Sequence, residues 1–539
     1  MRKTPNSKQE EVNIVGGSTF GRYKKISSEK TYNMFVSDEW LVNTAGYQKV
    51  YELLPEGLGR GIFTSIRGNR LIVVVDSFVY SLNEHLVPTF VGMLGTERGV
   101  VYIDENLNSQ ICIVDGLNAY IYNYSLPGSS LTVQTGLGNL VPGYVDYHNT
   151  YFLFGNANET TNGAAWYAYQ YATPTTIIQA TPGQFALQTK PDYALAVVRL
   201  PGQGNNVLVF GSTVCEIWTQ IGGLQNYRRN QTINIDYGCA SVSTIAGSDK
   251  YVAWLAINEN NSPTIMVYTG QGFKPISTDG IDHQLSHIQY VSQSTAMFYR
   301  QDGHLFYQLT FYNPADNLTI IYDFTTEMFF NLSDWNLDYH PAKNYAYFNG
   351  QTYFISLNDG NLYLSSTDLT TYNENLPNVI PDPTLIHEIQ RIRICDTIRV
   401  DDSSQFRPNT FVFTIEQGND KNVTGLSINN PGQDLLITED LFNPPDDTIY
   451  TEANQPMADE DSLDITSITI PYQPRVDLTV SRDSGVTWSN TVSRNLNPIG
   501  MRQNILNWEN LGSCNSLTLK LRFWGLSRFV AHNGMVELY

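Results

Sequence analysis

The chain has 539 residues, 12% of them aromatic and only 16% charged, with 40 glycines and a formal net charge of −20 from 52 acids against 32 bases. That length allows two to four domains, and the acidic balance argues against a general DNA-gripping surface, which needs a basic stripe. Five scattered cysteines (Cys112, Cys215, Cys239, Cys395, Cys514) without any C-x-x-C make neither a disulfide framework nor a zinc site.

The opening "MRKTPNSKQEE" lacks the apolar core of a signal peptide, and no stretch is apolar enough to span a bilayer. Folding in a cytoplasm without membrane insertion is therefore expected. Residues 1–30 hold seven Lys/Arg against three acids, so the chain starts basic.

From about residue 50 a loose repeat of turn, apolar strand and second strand begins. Its members include "RGNRLIVVVDSFVYSL", "DGLNAYIYNY", "YHNTYFLFGN", "GNNVLVFGSTVCEIWT", "GSDKYVAWLAI", "QDGHLFYQLTFY" and "FNGQTYFISLNDGNLYL". The turns fall near Gly68, Gly116, His148, Gly204, Gly247, Gly303 and Gly350, a spacing that brackets the roughly 40–50 residues of a propeller blade. One small antiparallel sheet cannot bury both faces alone; stacking such sheets around an axis does so. The fold class expected is all-β: a β-propeller of six or seven irregular blades over 46–371, with irregular β-sandwiches as the alternative. "PGSSLTVQTGLG", from Pro127, reads as a loop between strands.

Near residue 371 the character changes. "TTYNENLPNVIPDPT" reads as a linker, and 372–539 as a second, sandwich-like β domain. Between Lys421 and Arg475 there are ten acids and no base, among them Asp446, Asp447, Asp459, Glu460 and Asp461, so 422–474 is expected to be a solvated acidic insertion. "VSRDSGVTWSN" follows, with Ser481, Asp483, Gly485 and Trp488 spelling S-x-D-x-G-x-x-W. This resembles the Asp-box of sialidases and other β-propeller proteins. Asp483 can accept from turn amides and Gly485 can take a positive φ, and Trp488 is expected on the return strand, covering the turn. All these roles are structural: the motif supplies no acid, base or nucleophile.

No phosphate-cradling loop, G-x-S-x-G elbow or H-E-x-x-H is present, and "HEIQR" at His387 lacks the second zincin histidine. His283 and His287, four apart beside Asp279 and Asp282, would share a helix face, but a third ligand is not evident. A sialidase needs several Asp-boxes, three clustered arginines and a Tyr nucleophile; one box is visible, outside the repeat. In "LTLKLRF" alternation puts Leu517, Leu519, Leu521 and Phe523 on one face and Lys520 and Arg522 on the other, which reads as a strand. Neither a catalytic, a cofactor-binding nor a metal residue is assigned, and no cofactor is expected.

Several stretches, in order, resemble one family. "TYNMFVSDEWLVNTAGYQKVYELLPEG" resembles its opening. "LVFGSTVCEIWTQIGG" with "INIDYGCASVSTIAG" resembles its centre, and "SPTIMVYTGQGFKPIST" the strand pair that follows. S-x-D-x-G-x-x-W with "RQNILNWENLGSCNSLTLKLRFWG" resembles its close. This is the tail-nozzle, or packaged-DNA stabilisation, family of short-tailed bacteriophages. Trp508, Leu511 and Gly512 keep the closing pattern, while Glu509 and Ser513 stand where members carry basic residues.

The resemblance implies a non-enzymatic virion component. Such a protein forms a ring, usually a hexamer, below the head-to-tail adaptor, continues the channel for double-stranded DNA, retains the packaged genome and carries tail fibres, spikes or a needle plug. It further implies that residues 1–45 form an N-terminal arm and the start of a platform completed by 372–539, and that the protein resides in the virion tail. An acidic channel wall would let DNA slide without adhering. The alternative from another class is a propeller lectin or sialidase-like glycosidase.

Overall fold

The computed structural model describes residues 8–21, 29–54, 56–158, 160–222, 225–377, 382–399, 405–417, 436–437, 467–468, 474–496, 503–525 and 527–539. Within 422–474 that leaves only Leu436–Ile437, Ser467–Ile468 and Pro474, so the acidic insertion lies outside the described residues, as do Arg2, Lys3, Arg22, Lys24 and Lys25 of the basic N-terminal segment. Nearly every described element is a strand, and no helix among the described residues is long and apolar enough to cross a membrane. The chain divides into two compact units: 48–366 with 20–22, and 1–19 with 23–47 and 367–539.

The first unit is a seven-bladed β-propeller. Five four-stranded antiparallel meanders span 59–93, 102–133, 142–186, 196–235 and 294–331, and the fifth blade in chain order, 238–275, has two short strands, Gly238–Cys239 and Ala246–Gly247, both paired with Val252–Ile257. The seventh blade, 342–366, takes its outermost strand from Gly46–Leu54, ahead of the first blade. First strands of adjacent blades lie side by side, and Ala342–Phe348 of blade 7 abuts Gly59–Ser65 of blade 1, closing the circle. Closing the circle buries the two blade faces that an open stack would expose and leaves only short outermost strands as edges.

Both faces of each blade are packed, which explains the unbroken apolar runs. Gln110–Val114 and Ala119–Asn123 are buried at every position. Between blades 3 and 4, Trp166 meets Trp218 edge-on at 5.5 Å and Tyr227 at 5.2 Å; between blades 4 and 5, Phe210 meets Trp254 at 5.2 Å. The first hairpins of blades 6 and 7 turn on Asp302-Gly303 (φ 49° and 88°) and Asn349-Gly350 (φ 49° and 79°), the two-residue turns whose twist matches the strands they join.

Blade 2 differs from the sequence reading in two places. Gly116 lies in its second hairpin, between Val114 and Ala119, whereas the first hairpin turns at 106–109, where no glycine marks it. That shift of phase made the repeat look more irregular than it is. Within the expected loop after Pro127, Thr132–Val133 forms the outermost strand, because its backbone pairs with Tyr120 and Ile121.

The second unit is a two-sheet β-sandwich. One sheet runs Met34–Ser37, Trp40–Asn43, Phe529–Leu538, Pro408–Gln417 and Gln503–Glu509, with Lys8–Val12 also on Phe529–Leu538. The other runs Lys30–Tyr32, Arg391–Ile394, Thr518–Trp524, Arg475–Ser481 and Val492–Asn495. Phe413 stacks on Trp508 at 5.8 Å in the first sheet and meets Phe523 of the second edge-on at 6.3 Å; Phe523 in turn stacks on Phe529 at 4.9 Å. Within the expected linker, Thr371–Asn373 pairs with Ile386–Glu388 as a hairpin.

Two arginines are buried in this sandwich and serve as ties. Arg393 donates to the carbonyls of Asn13 and Gly17, at 2.9 and 2.8 Å, and to the Thr31 hydroxyl at 3.1 Å, and pairs with Glu29. Arg391 donates to the carbonyls of Thr370 and Gly525, both at 3.0 Å. Each guanidinium offers five donors, enough to anchor irregular backbone that has no ladder of its own.

Candidate functional site

The propeller axis is the default place for a site, because the first strand of every blade converges there. At the N-terminal ends of those strands the axis is filled. The rings of Tyr102 and Tyr144, from blades 2 and 3, lie 4.5 Å apart, and Lys343 Nζ of blade 7 stands 5.6 Å over Tyr312, which follows the second strand of blade 6. Burial pushes the Tyr102 phenol far up, with Cys239 of blade 5 and Tyr312 adding to the shift. Side chains of blades 2, 5 and 6 are therefore close enough at the axis to influence one another's charge.

Arg60 of blade 1 is buried beside them with all its donors used: the carbonyls of Asp76, Thr96, Arg98 and Gly99 and the Thr96 hydroxyl accept from it at 2.6–2.9 Å. Burial, helped by the Arg60 charge, lowers the Lys343 ammonium to about 8, and burial alone lowers His340 to about 3. Both values reflect the cost of holding a charge away from water.

At the other ends of the strands the axis widens into two adjoining cavities that share Gly247, Ser248 and Asp249. One, of 510 Å³, is lined by Phe63, Asp104, Asp146 and Arg199; the other, of 550 Å³, by Phe298, Tyr299, Arg300, Tyr345 and Tyr347. Asp104 accepts from the Tyr147 amide of blade 3 at 2.6 Å, and Asp146 accepts from the Arg199 amide of blade 4 at 2.8 Å. Each carboxylate thus pins the end of the next blade's first strand. Arg199 Nη1 sits 3.4 Å from both, and Arg300 pairs with Asp249 at 2.9 Å.

Burial, and then the neighbouring Asp146 charge, push the Asp104 carboxyl well above its ordinary range, with Arg199 opposing. A raised acid in a cleft is a candidate proton donor. Here, though, both carboxylates are committed to backbone amides and one guanidinium, and the geometry describes staples between blades.

The sequence reading missed Asp104, Asp146, Arg199, Arg60 and Lys343. One signal was present: Tyr102-Ile103-Asp104 and Tyr144-Val145-Asp146 repeat Tyr-x-Asp in phase with the blades, the tyrosine closing the waist and the acid pinning the mouth. Arg60 and Lys343 carry no such mark, because their roles come from loops and blades far along the chain.

The Asp-box lies in the sandwich unit, in the turn after Arg475–Ser481. Asp483 Oδ1 accepts from the Val486 and Thr487 amides at 3.1 and 2.8 Å and from the Ser481 hydroxyl at 2.7 Å; Oδ2 accepts from the Thr487 hydroxyl at 2.5 Å. Those bonds, the Thr487 hydroxyl first, hold its carboxyl at about 2. Gly485 has φ 89°, and its amide donates to Ser481 Oγ at 2.8 Å. Trp488 does not lie on the return strand, which begins at Val492; the turn is longer than the sequence pattern suggested, and Lys520 Nζ sits 5.1 Å over the Trp488 ring. Arg482 ties the turn to the Leu511 carbonyl at 2.7 and 2.9 Å.

His283 and His287 sit on and just past a seven-residue helix, Asp279–Leu285, with rings 4.5 Å apart and His287 Nδ1 2.7 Å from the His283 carbonyl. Among the described residues no three His, Cys, Asp or Glu side chains are gathered as a metal would require. In Thr518–Trp524, Leu519, Leu521 and Phe523 are buried, and Arg522 lies over the Trp524 ring at 4.1 Å.

Fold and site together define a seven-bladed β-propeller protein with an axis crowded by tyrosines at one end and a second, sandwich unit that includes both chain termini. The family model described as bacteriophage P22 Gp10, beta-propeller, matches residues 29–367. The chain belongs to that family of phage-stabilisation tail proteins, and it is a phage structural protein, a virion component that assembles with other phage proteins.

No curated protein gives a significant match. Among solved structures, a virginiamycin B lyase from Staphylococcus aureus is similar at 10% identity and TM-score 0.40, covering 60% of this chain and 99% of its own. A streptogramin B lyase is similar at 11% and 0.37, covering 60% and 98%, and the Pan2 WD40 domain of Neurospora crassa at 9% and 0.37, covering 64% and 98%. At such scores these likenesses carry no argument about activity.

Proposed function

We propose that this chain is a non-catalytic subunit of the tail nozzle: a ring, of six copies, that sits below the head-to-tail adaptor, continues the DNA channel and retains the packaged genome. The family match over 29–367 carries this reading. In the ring the propellers project outward and offer attachment to fibres, spikes or a plug, while the sandwich built from the chain termini forms the platform around the channel.

The geometry supports that division of labour. Tyr102, Tyr144, Tyr312 and Lys343 crowd the propeller axis, which is too narrow a place for a DNA duplex. A conduit must then be made by several copies around a common axis, with head-to-tail contacts that close into a ring. The net charge of −20 suits a wall past which DNA slides, since every basic contact to phosphate adds affinity and friction. The acids of the axial mouth are read as blade staples, and the Asp-box as a hairpin clasp.

Symmetry-averaged electron microscopy of the native tail, with this protein labelled, tests the reading. A six-fold ring beneath the adaptor is the expected result; a label confined to peripheral appendages refutes it.

A further inference from the structure

A third cavity, of 480 Å³, opens between the outermost strands of blades 3 and 4, Thr176–Ala186 and Tyr227–Ile235, and shares no residue with the two axial cavities. Its floor is aromatic. Phe185 stacks on Trp166 at 4.5 Å, and Tyr227 and Trp218 meet Phe185 edge-on at 5.5 and 6.0 Å. The polar atoms of the two deeper rings are already engaged: Trp218 Nε1 donates to Glu216 at 2.9 Å, and the Tyr227 hydroxyl bonds His148 at 2.9 Å. Half-buried Phe185 is left as the ring offered to solvent, on a rigid backing.

Around that ring stand Gln184, Gln188, Gln225 and Gln231, all exposed, and none of their side-chain amides has a hydrogen-bond partner among the described residues. The buried Gln110 and Gln134 of the propeller are, by contrast, committed: Gln110 donates to the Thr173 and Pro174 carbonyls, and Gln134 to that of Thr175. Arg229 lies 3.5 Å from Glu216. Exposed Arg228 has no ion pair or hydrogen bond for its guanidinium among the described residues. In a chain of net charge −20, no acid lines this cavity.

We propose that this groove binds an acidic oligosaccharide. A flat apolar ring matches the C–H face of a pyranose. Amides that both donate and accept match hydroxyls, and an unpaired guanidinium matches a sugar carboxylate through two parallel hydrogen bonds. The volume falls in the range of small-ligand pockets, about 300–1,000 Å³. A basic peptide finds no carboxylate here, which is why a saccharide is preferred over a protein segment. The site goes beyond the nozzle reading and does not depend on it.

The test uses the full-length chain with oligogalacturonate and sialyllactose as acidic probes and maltohexaose as the neutral one, followed by saturation-transfer NMR and titration calorimetry. At least one acidic probe is expected to bind, about tenfold more weakly in Arg228→Glu and also more weakly in the double variant Gln184→Ala/Gln231→Ala. All three positions are exposed, so melting temperatures should stay unchanged. No saturation transfer from either acidic probe, or binding that neither variant alters, overturns the proposal; so does maltohexaose binding as tightly as the acids. An Arg228→Glu chain that loses a tail-protein partner while no sugar binds would reassign the groove to protein docking and overturn it as well.

Discussion

The two units of this chain are built from strands in opposite ways. In the propeller most pairings are between sequence neighbours: blade 2 completes four strands within 102–133, whereas Gly46–Leu54 must return to a distant partner, Gly360–Ser366. In the sandwich the partners are remote. Lys8 pairs with Leu538, Thr31 with Arg393 and Leu41 with Ala531. A propeller of local hairpins can grow blade by blade as the chain emerges, whereas the sandwich waits for both termini, because loop-closure entropy has to be met before distant pairings stabilise anything.

The largest effect should come from removing residues 529–539. Phe529–Leu538 is the strand on which Lys8–Val12, Trp40–Asn43 and Pro408–Gln417 all pair. Its deletion is expected to abolish the sandwich while circular dichroism and the aromatic near-ultraviolet signal of the propeller persist. Simultaneous loss of both signals would show the units to be one cooperative block.

Next in size is Arg393→Ala, which frees Glu29 and the carbonyls of Asn13 and Gly17 from their buried partner. Breaking a buried pair costs about 3–5 kcal/mol, and the loss should appear in one of two urea transitions only. A matching drop in both transitions would deny the separation.

In the propeller, Lys343→Met should act in the opposite direction. Lys343 titrates near 8 when folded against 10.5 in the unfolded chain, so the unfolded state holds more protons between those values and native stability rises with pH across that window. Replacing the lysine should flatten that slope and stabilise the propeller by about 2–3 kcal/mol near neutral pH. His340 gives the acid-side counterpart: its folded value near 3 means stability falls as pH drops from 6.5 towards 3. A wild-type melting curve level from pH 8 to 10 would sink the buried-lysine account.

The smallest effect belongs to Asp483→Ala. Its bonds are exposed, so a slight fall in the sandwich's melting temperature is expected, with assembly of the proposed ring intact. Because the folded carboxyl titrates near 2, below its ordinary 3.8, its contribution is present above 3.8 and fades as pH falls towards 2. Loss of assembly in this variant would give the Asp-box an interface role instead of a local one.

How much was legible follows the same divide. Asp302-Gly303 and Asn349-Gly350 announced hairpins, and the alternation in 517–523 announced a strand, since turn chemistry and side-chain period act within a few residues. The phase slip at Gly116 came from trusting glycine alone where a blade turned at 106–109 without one. Tyr-x-Asp at 102–104 and 144–146 was readable in principle and went unread, because its meaning appears only when blades are laid side by side.

The amino-acid order by itself determined the all-β class, the blade-length repeat, the family resemblance and the clasp at Asp483, all of which rest on contacts between near neighbours or on an ordered series of motifs. The tertiary structure alone decided the rest. The seventh blade is closed by a strand from ahead of the first, tyrosines of blades 2 and 3 lie together near the axis while a lysine of blade 7 stands over a tyrosine of blade 6, and strands more than 500 residues apart share one sheet. Such pairings leave no trace in either strand, since a partner so far along the chain imposes only burial and length, and many segments satisfy both.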